Sequence, residues 1–159
     1  WHMENRIENN RSVVPVHVLL VGNNPIEMGG VLEKLNKVRG QKIITEIAFD
    51  LKSILERLIR FRPNFIFIDD NIGRSVMLET VNALSANSKT KDIPITVLKN
   101  SNYQESLVSS SILDYLLKQN LSPEDLYNTV KNSLKLRRTQ MYLYQAYKRR
   151  KVHFLKLIK

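Results

Sequence analysis

Pro63-Asn64-Phe65-Ile66-Phe67-Ile68-Asp69-Asp70 is the stretch whose reading decides the fold. Four consecutive apolar side chains, with a proline before them and two acids after, are too few for a buried helix. They suit a strand covered on both faces. Working outward, the same short apolar runs recur at Val16–Val21, Lys42–Ala48, Ile93–Leu98 and Ile112–Leu117. Pro94 stands at the start of its run, where a missing N–H is tolerated.

Helical spacing fills the gaps between these runs. Pro25 suits a first helical turn, and Met28, Val31, Leu32 and Leu35 follow at helical intervals to about Val38. Asp50 caps a second pattern carried by Leu51, Ile54, Leu55, Leu58 and Ile59. A third helix is expected over Val76–Ala86 and a short one around Tyr103–Ser109. Ser122-Pro123-Glu124-Asp125 combines a capping hydroxyl, a first-turn proline and two acids facing the macrodipole. Five strands alternating with helices predict an α/β fold: a doubly wound, five-stranded parallel sheet of flavodoxin-like type, helices on both faces, and a long basic C-terminal helix. Chemistry in such sheets gathers at the carboxyl ends of the strands. Those ends carry Gly22 and Asn23, Asp69, Lys99, and Lys118.

Composition narrows the function. Hydrophobic residues at 43% and charged residues at 25% are globular values, and 159 residues suit one domain of ordinary size. The absence of cysteine excludes a disulfide scaffold, a thiolate metal cluster and a cysteine nucleophile. Gly22-Asn23-Asn24-Pro25 lacks the G-x-G-x-x-G spacing, and Gly29-Gly30 lies too deep in its helix to cradle phosphate. His17 reads as a core or edge strand residue, and His153 has no acidic neighbour. No apolar run reaches the roughly 18 residues of a membrane span, and no signal pattern follows Met3, so a cytoplasmic location is expected. Trp1-His2-Met3 reads as a remnant of cloning, with residues 1–13 as tag and loose arm.

The net charge of +10 is unevenly spread. From Gln119 onward there are ten Lys/Arg against Glu124 and Asp125, leaving +8 in the tail and +2 before it.

In order and spacing, residues 14–136 resemble the receiver domain of two-component response regulators. Pro63–Asp69 is similar to that family's third strand with its phosphoacceptor aspartate. Asp114-Tyr115-Leu116-Leu117-Lys118 resembles its fifth strand, where a switch aromatic precedes a signature lysine. Leu19–Pro25 aligns with the first strand and its acidic pair. The resemblance implies a signalling domain rather than an enzyme, with a histidine kinase, a downstream effector or a second copy as protein partner.

The departures point to an atypical member. The acidic pair falls on Gly22 and Asn23, leaving Asp69 as the one carboxylate at the matched metal positions. Mg²⁺ wants oxygen ligands and carboxylate charge, so no metal or other cofactor is expected. Asn23 and the Asn71 carbonyl are the weak further candidates, and Asp70 faces away if the strand persists. The hydroxyl residue of the fourth strand falls on Lys99, which with Lys118 would hold Asp69 ionised. The usual proline after the lysine is Gln119.

The leading expectation is therefore a degenerate receiver acting as a protein-interaction module without Mg²⁺-dependent phosphorylation. The alternative is an authentic receiver phosphorylated on Asp69, with Mg²⁺. In the tail from Leu126, which ends in a basic helical extension over residues 137–159, an apolar stripe through Leu126, Val130, Leu134, Met141 and Tyr144 accompanies Arg137-Arg138 and Lys148–Lys151. A linker or homodimerisation helix, leading to a domain beyond Lys159, is the favoured reading over nucleic-acid binding or an anionic membrane surface.

Overall fold

Period-two alternation along the strands divides one sheet into two core layers. In this computed structural model, which describes residues 14–100 and 112–158, the strands are β1 (Val16–Val21), β2 (Ile43–Ala48), β3 (Phe65–Asp69), β4 (Ile95–Lys99) and β5 (Ile112–Leu117). The helices are α1 (Pro25–Asn36), α2 (Leu51–Leu58), α3 (Arg74–Ala86) and α4 (Pro123–Ile158), with a 3₁₀ turn at Asp70–Ile72. All pairings are parallel and the strand order is β2-β1-β3-β4-β5, which is the expected doubly wound sheet. The order reverses between β1 and β3, so the crevice at their carboxyl ends is the topological switch point.

Leu19, Val21, Ile66 and Ile68 pack with Ile54 of α2 and Met77, Val81 and Leu84 of α3. Val18, Leu20, Phe65 and Phe67 pack on the other face, with Met28, Val31 and Leu35 of α1 and Leu126 and Val130 of α4. All five residues of β3 are buried. Each such apolar side chain contributes about 1.5–3 kcal/mol of transfer free energy, so β3 is the keel of the fold.

Helix starts follow local chemistry. The Asn24 side chain accepts from the backbone N–H groups of Ile26 (3.1 Å) and Glu27 (3.2 Å), with Pro25 in the first turn. Asp50 and Ser53 form a reciprocal capping box at α2. Ser122 and Asp125 exchange the same pair of bonds at α4.

Several boundaries differ from the sequence reading by one or two residues. α3 starts two residues early, at Arg74, because Gly73 at φ 90° turns the chain directly into it. Pro94 lies just before β4 rather than within it, although its carbonyl still accepts from Ile66 N–H at 3.0 Å. The chain leaves β3 at Asp69 for a 3₁₀ turn, so Asp70 is outside the strand. The helix expected around Tyr103–Ser109 lies outside the described residues. Among the described residues no helix is long and apolar enough to cross a membrane.

Candidate functional site

Asp69 inherits its direction from the alternation of β3. It shares parity with Phe65 and Phe67, so its carboxylate turns toward the layer that holds α1. The side chain is 1% exposed, yet every polar atom is satisfied. Lys118 Nζ donates to Asp69 Oδ1 at 2.9 Å and to Oδ2 at 3.0 Å, and the Asn71 N–H donates to Oδ1 at 2.9 Å. Lys118 reaches this point because its own backbone N–H extends the β4–β5 ladder, donating to the Lys99 carbonyl at 2.8 Å.

The ammonium of Lys118 has a second acid. Glu27, in the first turn of α1, accepts from it at 3.0 Å through Oε2 and also accepts from the Asn71 side-chain amide. A further amide, Asn100, donates to the Asn71 side-chain oxygen, and the Asn100 N–H donates to Asp70 Oδ2 at 3.2 Å. The result is a closed polar cluster joining β3, β5, α1 and the turn after β4.

Burial pushes the Asp69 carboxyl above its ordinary value, against the opposing pull of the Lys118 hydrogen bond and the Asn71 N–H. Burial pulls the Lys118 amine down, but hydrogen bonds and charge from Asp69 and Glu27 outweigh it and hold the amine above its ordinary value. One contact thus enters the two groups with different outcomes. The geometry decides between them: both oxygens of one carboxylate on one ammonium is an ionised pair.

Glu27 is the residue that sequence reasoning missed. An acid three positions into a helix reads as a macrodipole partner, and nothing local says that it faces a lysine 91 residues away. The available signal was positional: the first turn after β1 lies at the carboxyl edge of the sheet, beside the crevice.

The other expected residues are placed as follows. Lys99 is buried and its ammonium lies 5.4 Å from the centroid of the Tyr115 ring rather than at Asp69. It shares parity with Val97, on the α2/α3 face, which is why it points away from Asp69. Tyr115 is half-buried on that face, and burial raises its hydroxyl above the usual value. Gly22 borders α1: a Cβ there would overlap Met28 Sδ and stand 2.9 Å from Met28 Cε. Met28 fills the space an acidic side chain would need. Asn23 donates through its side-chain amide to the Asn71 carbonyl at 3.3 Å. His17 packs edge-on to Phe61, with ring centroids 5.4 Å apart. Every described peptide bond is trans, including that between Lys118 and Gln119.

This donor set does not fit a hard divalent cation. Both Asp69 oxygens are committed to Lys118, the Asn71 carbonyl accepts from Asn23, and position 22 offers no side chain. Among the described residues no group of three His, Cys, Asp or Glu could hold a metal ion.

The architecture is shared with solved structures. A sensor protein from Polaromonas sp. JS666 is 17% identical, with a TM-score of 0.66 over 77% of this chain and 98% of that one. The receiver domain of the sensor histidine kinase PA1611 from Pseudomonas aeruginosa PAO1, with a magnesium ion coordinated in its active-site cleft, is 17% identical, with a TM-score of 0.65 over 77% of this chain and 99% of that one. The Mn²⁺-bound response regulator Rcp1 is 24% identical, with a TM-score of 0.56 over 74% of this chain and 91% of that one. At these identities the likeness shows the fold, which is that of response-regulator receiver domains. No protein-family model and no curated protein matches the sequence.

Proposed function

We propose that this chain is a receiver-type regulatory domain that acts as a protein-interaction module, with Asp69 serving as a fixed counter-ion rather than a phosphoacceptor. One observation carries the reading: the Lys118 ammonium is held between two carboxylates, Asp69 and Glu27, with Asp69 almost wholly out of water. Phosphoryl transfer leans on metal charge to neutralise the incoming oxygens. Here the ammonium occupies both Asp69 oxygens, and the positions where receivers carry further acids hold Gly22 and Asn23.

The solved neighbours support the receiver reading through their fold, and two of them carry a divalent cation by their own descriptions. Gly22 and Asn23, which offer no carboxylate beside Asp69, support the interaction role. In that role the domain performs no chemistry of its own and offers its surface to a protein partner, a histidine kinase or a downstream effector.

Incubation of the chain with a small phosphodonor and Mg²⁺, followed by intact-mass measurement, tests the proposal. The expected product is unmodified protein. An adduct of one phosphoryl group that disappears in Asp69→Asn would establish the phosphorylatable receiver instead.

A further inference from the structure

The distal part of α4 carries a series of exposed apolar side chains that the site does not explain. The helix spans 36 residues, about 54 Å at 1.5 Å per residue. Among the described residues its first turns dock on the body, through Leu126, Thr129, Val130 and Ser133, with Leu134 partly buried beside them. Beyond them Leu136 is 47% exposed, Leu143 60%, Tyr147 62%, Phe154 61% and Leu157 72%. In proteins most helical stability comes from packing an apolar face rather than from intrinsic propensity.

These five residues are not scattered. With Gln140 and Arg150 they fall at alternating intervals of four and three, which are the a and d positions of about three heptads. The same phase runs back through Ser133, Thr129 and Leu126, so the seam begins in the buried face and continues past the body.

We propose that residues 136–154 form an antiparallel coiled-coil interface with a second copy of this chain. The two polar seam residues choose the direction. In a parallel pair each seam residue meets itself, so two Arg150 guanidinium groups would share one layer and two Gln140 amides another. Two buried like charges cost heavily without compensation. In the antiparallel pair an a position faces a d position. Gln140 then meets Arg150 of the second copy, Leu143 meets Tyr147, and Leu136 meets Phe154. The polar residues satisfy each other, and the apolar ones fill the layers between. The Gln140 side-chain oxygen now accepts only a long bond from Arg137 at 3.4 Å, so a guanidinium from the other copy can take it.

Charge sets a second signature. Lys148 and Arg149 fall on outer positions and stay solvated, but Arg137 of one copy flanks Lys151 of the other. Screening that repulsion makes salt strengthen the association, the opposite of counterion-driven nucleic-acid binding.

Sedimentation of the full chain across a dilution series decides the matter, with Leu143→Glu and Gln140→Glu as variants and far-UV circular dichroism to check that each is folded. The wild-type chain is expected to dimerise and to do so more tightly at higher salt. Leu143→Glu should be monomeric. Gln140→Glu should tighten the dimer about fivefold, because two Glu–Arg layers replace two Gln–Arg layers. In a parallel seam the same change sets two carboxylates against each other and loosens the dimer. A monomeric wild-type chain, a dimer that survives Leu143→Glu, or a dimer unchanged or weakened by Gln140→Glu overturns the proposal.

Discussion

Replacing Asp69 by Asn separates the two roles this side chain can play. A carboxylate held among other acids for a metal is repelled in the apo state, so neutralising it stabilises the fold. A carboxylate that is the buried partner of an ammonium does the reverse. In this structure Asp69 is 1% exposed and accepts from Lys118 at 2.9 and 3.0 Å and from Asn71 N–H at 2.9 Å. Asparagine keeps one acceptor, enough for Asn71 N–H, and loses the charge. Breaking a buried ion pair outright costs about 3–5 kcal/mol. Lys118 retains Glu27 at 3.0 Å, but that side chain is 40% exposed and solvent screens it, so about 2–3 kcal/mol of the loss should remain. For a chain of this size the melting temperature should fall by roughly 5–10 °C. Thermal and urea melts at neutral pH, followed by circular dichroism, measure it. Glu27→Gln in the same assay should cost no more than about 1 kcal/mol. A melting temperature that is unchanged or raised in Asp69→Asn would refute the counter-ion reasoning.

Alkaline pH should unpick the same cluster. Lys118 is raised above 10.5 in the folded state, so the fold binds its proton more tightly than the unfolded chain does. That contribution is fully present below 10.5 and is lost as pH rises through the folded value. Urea midpoints measured through that range should drop in the wild-type chain and drop less in Asp69→Asn. Gly22→Ala should destabilise by about 1–2 kcal/mol, since its Cβ overlaps Met28, which is fully buried and must shift. Combining it with Met28→Ala should remove the steric part, visible as a non-additive double-mutant cycle in urea unfolding.

Much of the fold is written locally. The apolar runs locate all five strands to within two residues, because a strand buried on both faces must be continuously apolar. Asp50, Ser122 and Pro123 announce helix starts through bonds made within a few residues. Asp69 and Lys118 are legible as neighbours only by one more step, since parallel sheets bring the carboxyl ends of their strands together.

What the sequence alone determined is therefore the α/β alternation and the acid–lysine pairing at the crevice, both consequences of short-range periodicity and a handed, parallel topology. Three features were decided only in the tertiary structure. Glu27 becomes the second acid on Lys118 because the turn after β1 aims the start of α1 across the crevice. Lys99 goes to Tyr115 because one step of strand parity places it on the opposite face from Asp69. Met28 closes the space at Gly22 because α1 packs directly over β1. Each depends on which face of which element meets another, and contacts between residues as far apart as 91 positions leave no mark on local pattern.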